Sequence, residues 1–114
     1  LWNCDGLPDG ELERRVEHLV RTLRAARPHA PLLLVGQSHV QPDVHPTALS
    51  RRQEAVVRRL QAEGLPNLHL APGAPLIGDD GEGTVDGVHP NDLGMRRQAD
   101  ALRPLVARLL RGRP

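Results

Sequence analysis

Leu12, Val16, Leu19, Val20 and Leu23 recur at spacings of three and four, so one stripe of a helix over residues 10–27 is apolar. Asp9 is a candidate N-cap, Glu11 and Glu13 suit the first turn, Arg24 and Arg27 suit the last, and Pro28 ends the helix. The period then changes. Residues 31–36, "PLLLVG", form a short continuous apolar run closed by glycine, which predicts a strand covered on both faces. A second helical stripe runs from 47 to 63, with Leu49, Val56, Val57 and Leu60 inward and Gly64 placed to cap its C-terminus. Residues 66–71, "PNLHLA", are the next strand. A last helix spans 91–110 with Asn91 as its cap; Pro104 inside it removes one backbone hydrogen bond and is expected to kink it. Residues 1–4 read as a strand stub, and 37–46 and 72–90 as loops. The order is β-α-β-α-β-loop-α. Strands alternating with helices predict an α/β fold in which parallel strands are joined by right-handed crossovers, with helices on both faces of the sheet.

Composition narrows what such a fold could do. The 114 residues suit one small domain or part of a larger one. The chain opens on the strand-like "LWNC" rather than on methionine, so a preceding segment is expected. Trp2 is the single aromatic residue, which makes the core aliphatic and leaves no platform for stacking bases. All fifteen basic residues are arginine, offset by fourteen carboxylates to a net charge of +1 and spread along the helices, so no nucleic-acid partner is expected. The absence of lysine excludes a P-loop. Cys4 is alone, with neither zinc-finger spacing nor a CxxC pair, and reads as a small buried apolar residue. No run approaches the roughly 18 apolar residues of a membrane span. No targeting segment is legible, so localisation and oligomeric state are left open.

Chemistry concentrates in the long loop before the last helix. Asp86 and His89 stand three residues apart, followed by Pro90 and Asn91. On one loop a carboxylate at this spacing can accept the imidazole Nδ1–H, fix the tautomer and leave Nε2 as a base. Histidine is the side chain whose charge changes near neutrality, which suits that task. Pro90 holds His89 extended, and Gly94, unusual in a first helical turn, would let the helix backbone pack close to the loop. Asp-x-x-His by itself is common, and a surface pair without catalytic role remains open at this point.

The wider string, "DDGEGTVDGVHPNDLGMRRQADAL", resembles the last sequence block of the SGNH hydrolases, also called GDSL-like esterases and acylhydrolases. The helix and strand order of residues 10–71 is similar to the C-terminal half of that fold. The resemblance implies a three-layer α/β/α sandwich with a parallel sheet, SGNH hydrolase or flavodoxin-like, of which residues 1–114 form the C-terminal part. It implies a Ser-His-Asp triad acting on a small-molecule ester, with His89 as general base, Asp86 as its orienter and no metal or organic cofactor. The family's nucleophile lies in an N-terminal Gly-Asp-Ser block and a second block supplies an oxyanion-hole glycine; no "GDS" string occurs here. A third block supplies an oxyanion-hole asparagine. Asn3 is the candidate, unless "DGLPD" aligns instead and puts Asp9 there, where its charge would repel an oxyanion.

Other candidates carry less. Ser38 follows a strand-end glycine, but Val40 breaks Gly-x-Ser-x-Gly. His39 and His45 could line a cleft; His18 and His29 read as solvent-facing and His69 as a satisfied strand histidine. Asp79, Asp80, Glu82 and Asp86 miss the EF-hand spacing, so no metal site is expected. Two classes of function follow: the C-terminal part of a serine esterase or acylhydrolase, or a non-catalytic α/β remnant serving as an interaction module.

Overall fold

The computed structural model describes residues 7–37, 48–73 and 76–112. It divides into two compact units. The first holds α1 (Glu11–Ala26), β1 (Leu32–Val35), α2 (Ala48–Ala62) and β2 (Leu68–Ala71). The second holds the long loop and α3 (Asp92–Arg111).

In the first unit β1 and β2 pair in parallel, with Leu32 opposite Leu68 and Val35 opposite Ala71, and α2 is the crossover between them. Leu32, Leu34 and Leu70 pack against a core of Leu12, Val16, Val20, Val56, Val57, Leu60 and Leu68. Residues two apart on a strand share a face, so α1 and α2 together cover one face of the pair. Within this unit that face is the helix-covered side of β1. Its residues are half-buried and Val35 is 37% exposed.

The stripe on α1 is also narrower than its sequence suggests. Leu12, Val16 and Val20, four apart, are buried, whereas Leu19 is 54% and Leu23 42% exposed. On α2 the inward face carries two polar residues, Ser50 and Gln53, in line with Val57 and Leu60. Gln53 donates its amide to the Val35 carbonyl at 3.3 Å.

Helix ends follow local chemistry. Gly64, at φ 84°, closes α2: its N–H bonds Gln61 O and the N–H of Leu65 bonds Leu60 O, two nested bonds that satisfy these carbonyls of the last turn. Asp9 does not cap α1. The chain enters through a turn in which Glu11 N–H bonds Pro8 O, and the cap position falls on Gly10 at φ 80°, with no side-chain cap. Only glycine adopts that left-handed conformation without cost, and Asp9 lies one residue too early to reach the first turn.

The arginines form pairs across α1 and α2. Arg21 and Arg59 each bridge Glu17 and Glu63, closing a four-membered ring, and Arg52 grips Glu13 with two bonds of 2.6 and 2.8 Å. These groups are exposed or, as with Arg52 and Glu13, partly so, and their attraction is screened by salt. Arg59→Gln should therefore lower the thermal midpoint only slightly at low ionic strength and not measurably in 1 M salt, as thermal melts at the two salt concentrations would read.

Candidate functional site

The loop before α3 is built around a hairpin-like turn. Thr84 and Pro90 form an antiparallel bridge, and the Val85 N–H bonds His89 O at 2.9 Å. Asp86 and His89 sit at the tip. Asp86 Oδ1 accepts the N–H groups of Val88 at 2.9 Å and His89 at 2.7 Å, while Oδ2 lies 2.6 Å from His89 Nδ1. Gly87 supplies the positive φ, 84°, that the reversal needs, and its N–H bonds Thr84 Oγ1. The three-residue spacing thus has a structural cause. One carboxylate folds the backbone over itself and, through its second oxygen, holds the ring of the residue it has just positioned.

Electrostatics follow from the same bonds. The His89 backbone N–H, then the His89 ring and the Val88 N–H, pull the Asp86 carboxyl from its ordinary 3.8 down to about 2. An ionised carboxylate only accepts hydrogen bonds, so Nδ1 is the protonated nitrogen and Nε2 carries the lone pair in the neutral ring. Because the folded value is depressed, the stabilisation by Asp86 is complete above about pH 4 and lost as the pH falls towards about 2. An NMR titration should place the Asp86 carboxyl midpoint well below that of a free aspartate, with the Val88 and His89 amide signals moving in the same step. A midpoint at the ordinary value would contradict the turn.

Two further devices fix the turn to α3. Arg97 forks onto Asp80, with bonds of 2.7 and 2.6 Å, and gives a third to the Ile77 carbonyl at 2.9 Å. That fork holds the Asp80 carboxyl at about 2, chiefly through the Arg97 guanidinium. Gly83 and Gly94, both buried, touch backbone to backbone: a Cβ on Gly94 would come within 2.0 Å of Gly83 O. The close approach anticipated at Gly94 is present. Nothing in the local sequence marks Arg97, Asp80 and Gly83 as supports, because their partners lie 11 to 20 residues away.

Asn91 caps α3 as anticipated, its side chain accepting the Gly94 N–H at 3.0 Å. The helix runs on through Pro104 without interruption. His18 and His29 are exposed, and His69 Nε2 lies 2.9 Å from Asn67 Oδ1. Asn3, Ser38, His39 and His45 lie outside the described residues, as does Cys4. Asp9 is exposed in the turn before α1. Among the described residues no three His, Cys, Asp or Glu side chains are grouped to hold a metal, and no helix is long and apolar enough to cross a membrane.

Comparison with known proteins adds to this geometry. The sequence model of the GDSL-like lipase/acylhydrolase family matches residues 3–107. A crystal structure of a protein assigned as a GDSL-like lipase from Bacteroides ovatus ATCC 8483 is similar at TM-score 0.72 and 28% identity, over 88% of this chain and 32% of that one. The chain thus spans about a third of the length of that structure. No curated protein matches.

Proposed function

The chain belongs to the GDSL-like lipase/acylhydrolase family, and from that premise we propose that it supplies the Asp-His pair of a Ser-His-Asp triad for ester hydrolysis. The α/β fold with parallel strands agrees with the family. The observation that carries the reading is the Asp86 carboxylate gripping both the backbone and Nδ1 of His89. A surface pair with no task would not need a fixed tautomer. In this reading residues 1–114 are a partial domain, and the attacking serine lies in the part of the protein that the chain does not include. The exposure of Leu19 and Leu23 on α1, and of Leu93, Met95, Val106 and Leu110 on α3, fits a segment that packs against more protein.

The chemistry runs as follows. The serine oxygen attacks the ester carbonyl while His89 Nε2 takes its proton. The imidazolium, held by Asp86, returns that proton to the departing alcohol and leaves an acyl-serine. Water then attacks with His89 again as base, the imidazolium returns that proton to the serine oxygen as the acyl bond breaks, and the acid is released. Asn3 is the proposed side-chain donor to the oxyanion. Each step moves only protons and the acyl group, so the serine and its base suffice without metal or organic cofactor.

A second reading, a non-catalytic interaction module, draws on the missing Gly-Asp-Ser string. One labelling experiment separates the two. An aryl phosphonate that traps activated serines, followed by peptide mass analysis of the full-length protein, should mark a serine outside residues 1–114. The isolated chain should take up no label. Labelling of Ser38 or Ser50, the two serines present, would overturn the assignment, and no labelling of either protein would favour the interaction module.

A further inference from the structure

We infer that Asn91 is a positioning residue for the Asp86–His89 pair, acting through its side-chain NH2 group and separately from its work as a helix cap. This rests on the triad reading above and extends it to a residue that reading does not use.

Three successive carbonyls on the first leg of the hairpin all accept from Asn91. Its Nδ2 donates to Glu82 O at 2.7 Å and to Thr84 O at 3.2 Å, and its backbone N–H donates to Gly83 O at 3.1 Å. Its Oδ1 faces the other way, onto the Gly94 N–H. The amide orientation is settled by its partners, since two carbonyl oxygens can only be met by the nitrogen and a backbone N–H only by the oxygen. Asn91 follows His89 at a distance of one rigid proline. The second leg of the hairpin is thereby tied to the first at the base of the turn, just below the Thr84–Pro90 bridge.

Capping alone does not call for this residue. Serine and aspartate cap helices as well as asparagine does. Neither carries two N–H donors, so only asparagine serves the cap and both carbonyls at once. Without those donors the 82–84 leg keeps one of its three bonds to residue 91. Thr84, which receives the Gly87 N–H and sets the pitch of the tip, loses the bond to its carbonyl and is held by its bridge to Pro90 alone. The tip then tilts, and His89 moves with it. A displacement of about 1 Å at a reacting group can cost on the order of 10²-fold in rate.

The test uses the full-length protein with Asn91→Ser and, as a second cap-competent variant, Asn91→Asp, beside His89→Ala. Three quantities are read: the thermal midpoint, kcat and KM on a short aryl ester, and the imidazole nitrogen shifts of His89 by NMR. Asn91→Ser should keep the thermal midpoint close to that of the parent, whereas Asn91→Asp, whose carboxylate would face the Glu82 and Thr84 carbonyl oxygens, should lower it. Both should lose on the order of 10²-fold in kcat with KM little changed, and show His89 populating both tautomers. Full kcat with an unaltered Nδ1–H signal in Asn91→Ser would overturn the inference. So would a kcat loss in Asn91→Ser that merely tracks a fall in its thermal midpoint, because that is the signature of a cap alone. If His89→Ala itself leaves turnover intact, the triad reading fails. The nitrogen shifts then still decide whether Asn91 sets the tautomer.

Discussion

In the full-length protein, His89→Ala should lower kcat on a short aryl ester by on the order of 10³-fold or more, and Asp86→Asn by on the order of 10⁴-fold. The two losses have different causes. In the proposed triad, alanine removes the base, so the serine would have to lose its proton to water. Asparagine keeps an acceptor for the Val88 and His89 N–H groups that Asp86 Oδ1 now serves. It turns an NH2 towards Nδ1, however, which obliges the ring to carry its proton on Nε2, where no base remains. Asp86→Asn should therefore retain the turn and lose the chemistry. Steady-state kinetics beside the Val88 and His89 amide shifts would show it. Turnover within a few fold of the parent in either variant would remove the pair from the mechanism.

Gly94→Ala is expected to be the most damaging single-methyl change in the loop–helix unit. The added carbon would lie 2.0 Å from Gly83 O, 3.0 Å from Gly83 C and 3.2 Å from Pro90 Cβ. Backbone cannot swing aside as a side chain can, so the loop must lift from the helix. Overpacking typically costs about 1–3 kcal/mol and occasionally more; alanine's better helix propensity returns about 1 kcal/mol. With the first contact so short, a net loss of about 2–3 kcal/mol is expected. Because the lifted backbone includes Pro90, next to His89, kcat should fall by on the order of 10²-fold as well. Gly112→Ala, at the other end of the same helix, meets nothing nearer than 3.7 Å and serves as the control. Denaturant melts and kinetics on the two variants decide it: equal behaviour would mean that Gly83 and Gly94 do not approach as closely as described.

Much of this could be read along the chain. The period of the apolar residues placed α1, α2, α3, β1 and β2 to within a few residues, and the alternation of helix and strand implied the parallel pairing that β1 and β2 show. These are local properties: a helix or strand repeats its own geometry, and a cap or a reversal is made by neighbours. The Asp86–His89 contact was legible for the same reason, since an aspartate reaches the N–H groups two and three residues on without help from elsewhere. Asn91 as cap and Gly64 as helix stop belong with it.

What local pattern could not settle was how much of each element is covered and what braces the turn. Leu19 and Leu23 fit the α1 stripe yet stand exposed, while Ser50 and Gln53 are buried although their types suggest solvent. Burial depends on which element arrives opposite, and no residue encodes that alone. Asp9 had the chemistry of a cap, but the turn from Pro8 put Gly10 at the cap position. The Arg97 fork on Asp80 and the Gly83–Gly94 contact join residues brought together only when the loop folds back onto α3. The sequence names the acid and the histidine because their bond is short-range. Their aim is set by long-range supports, whose energies exist only in the folded chain.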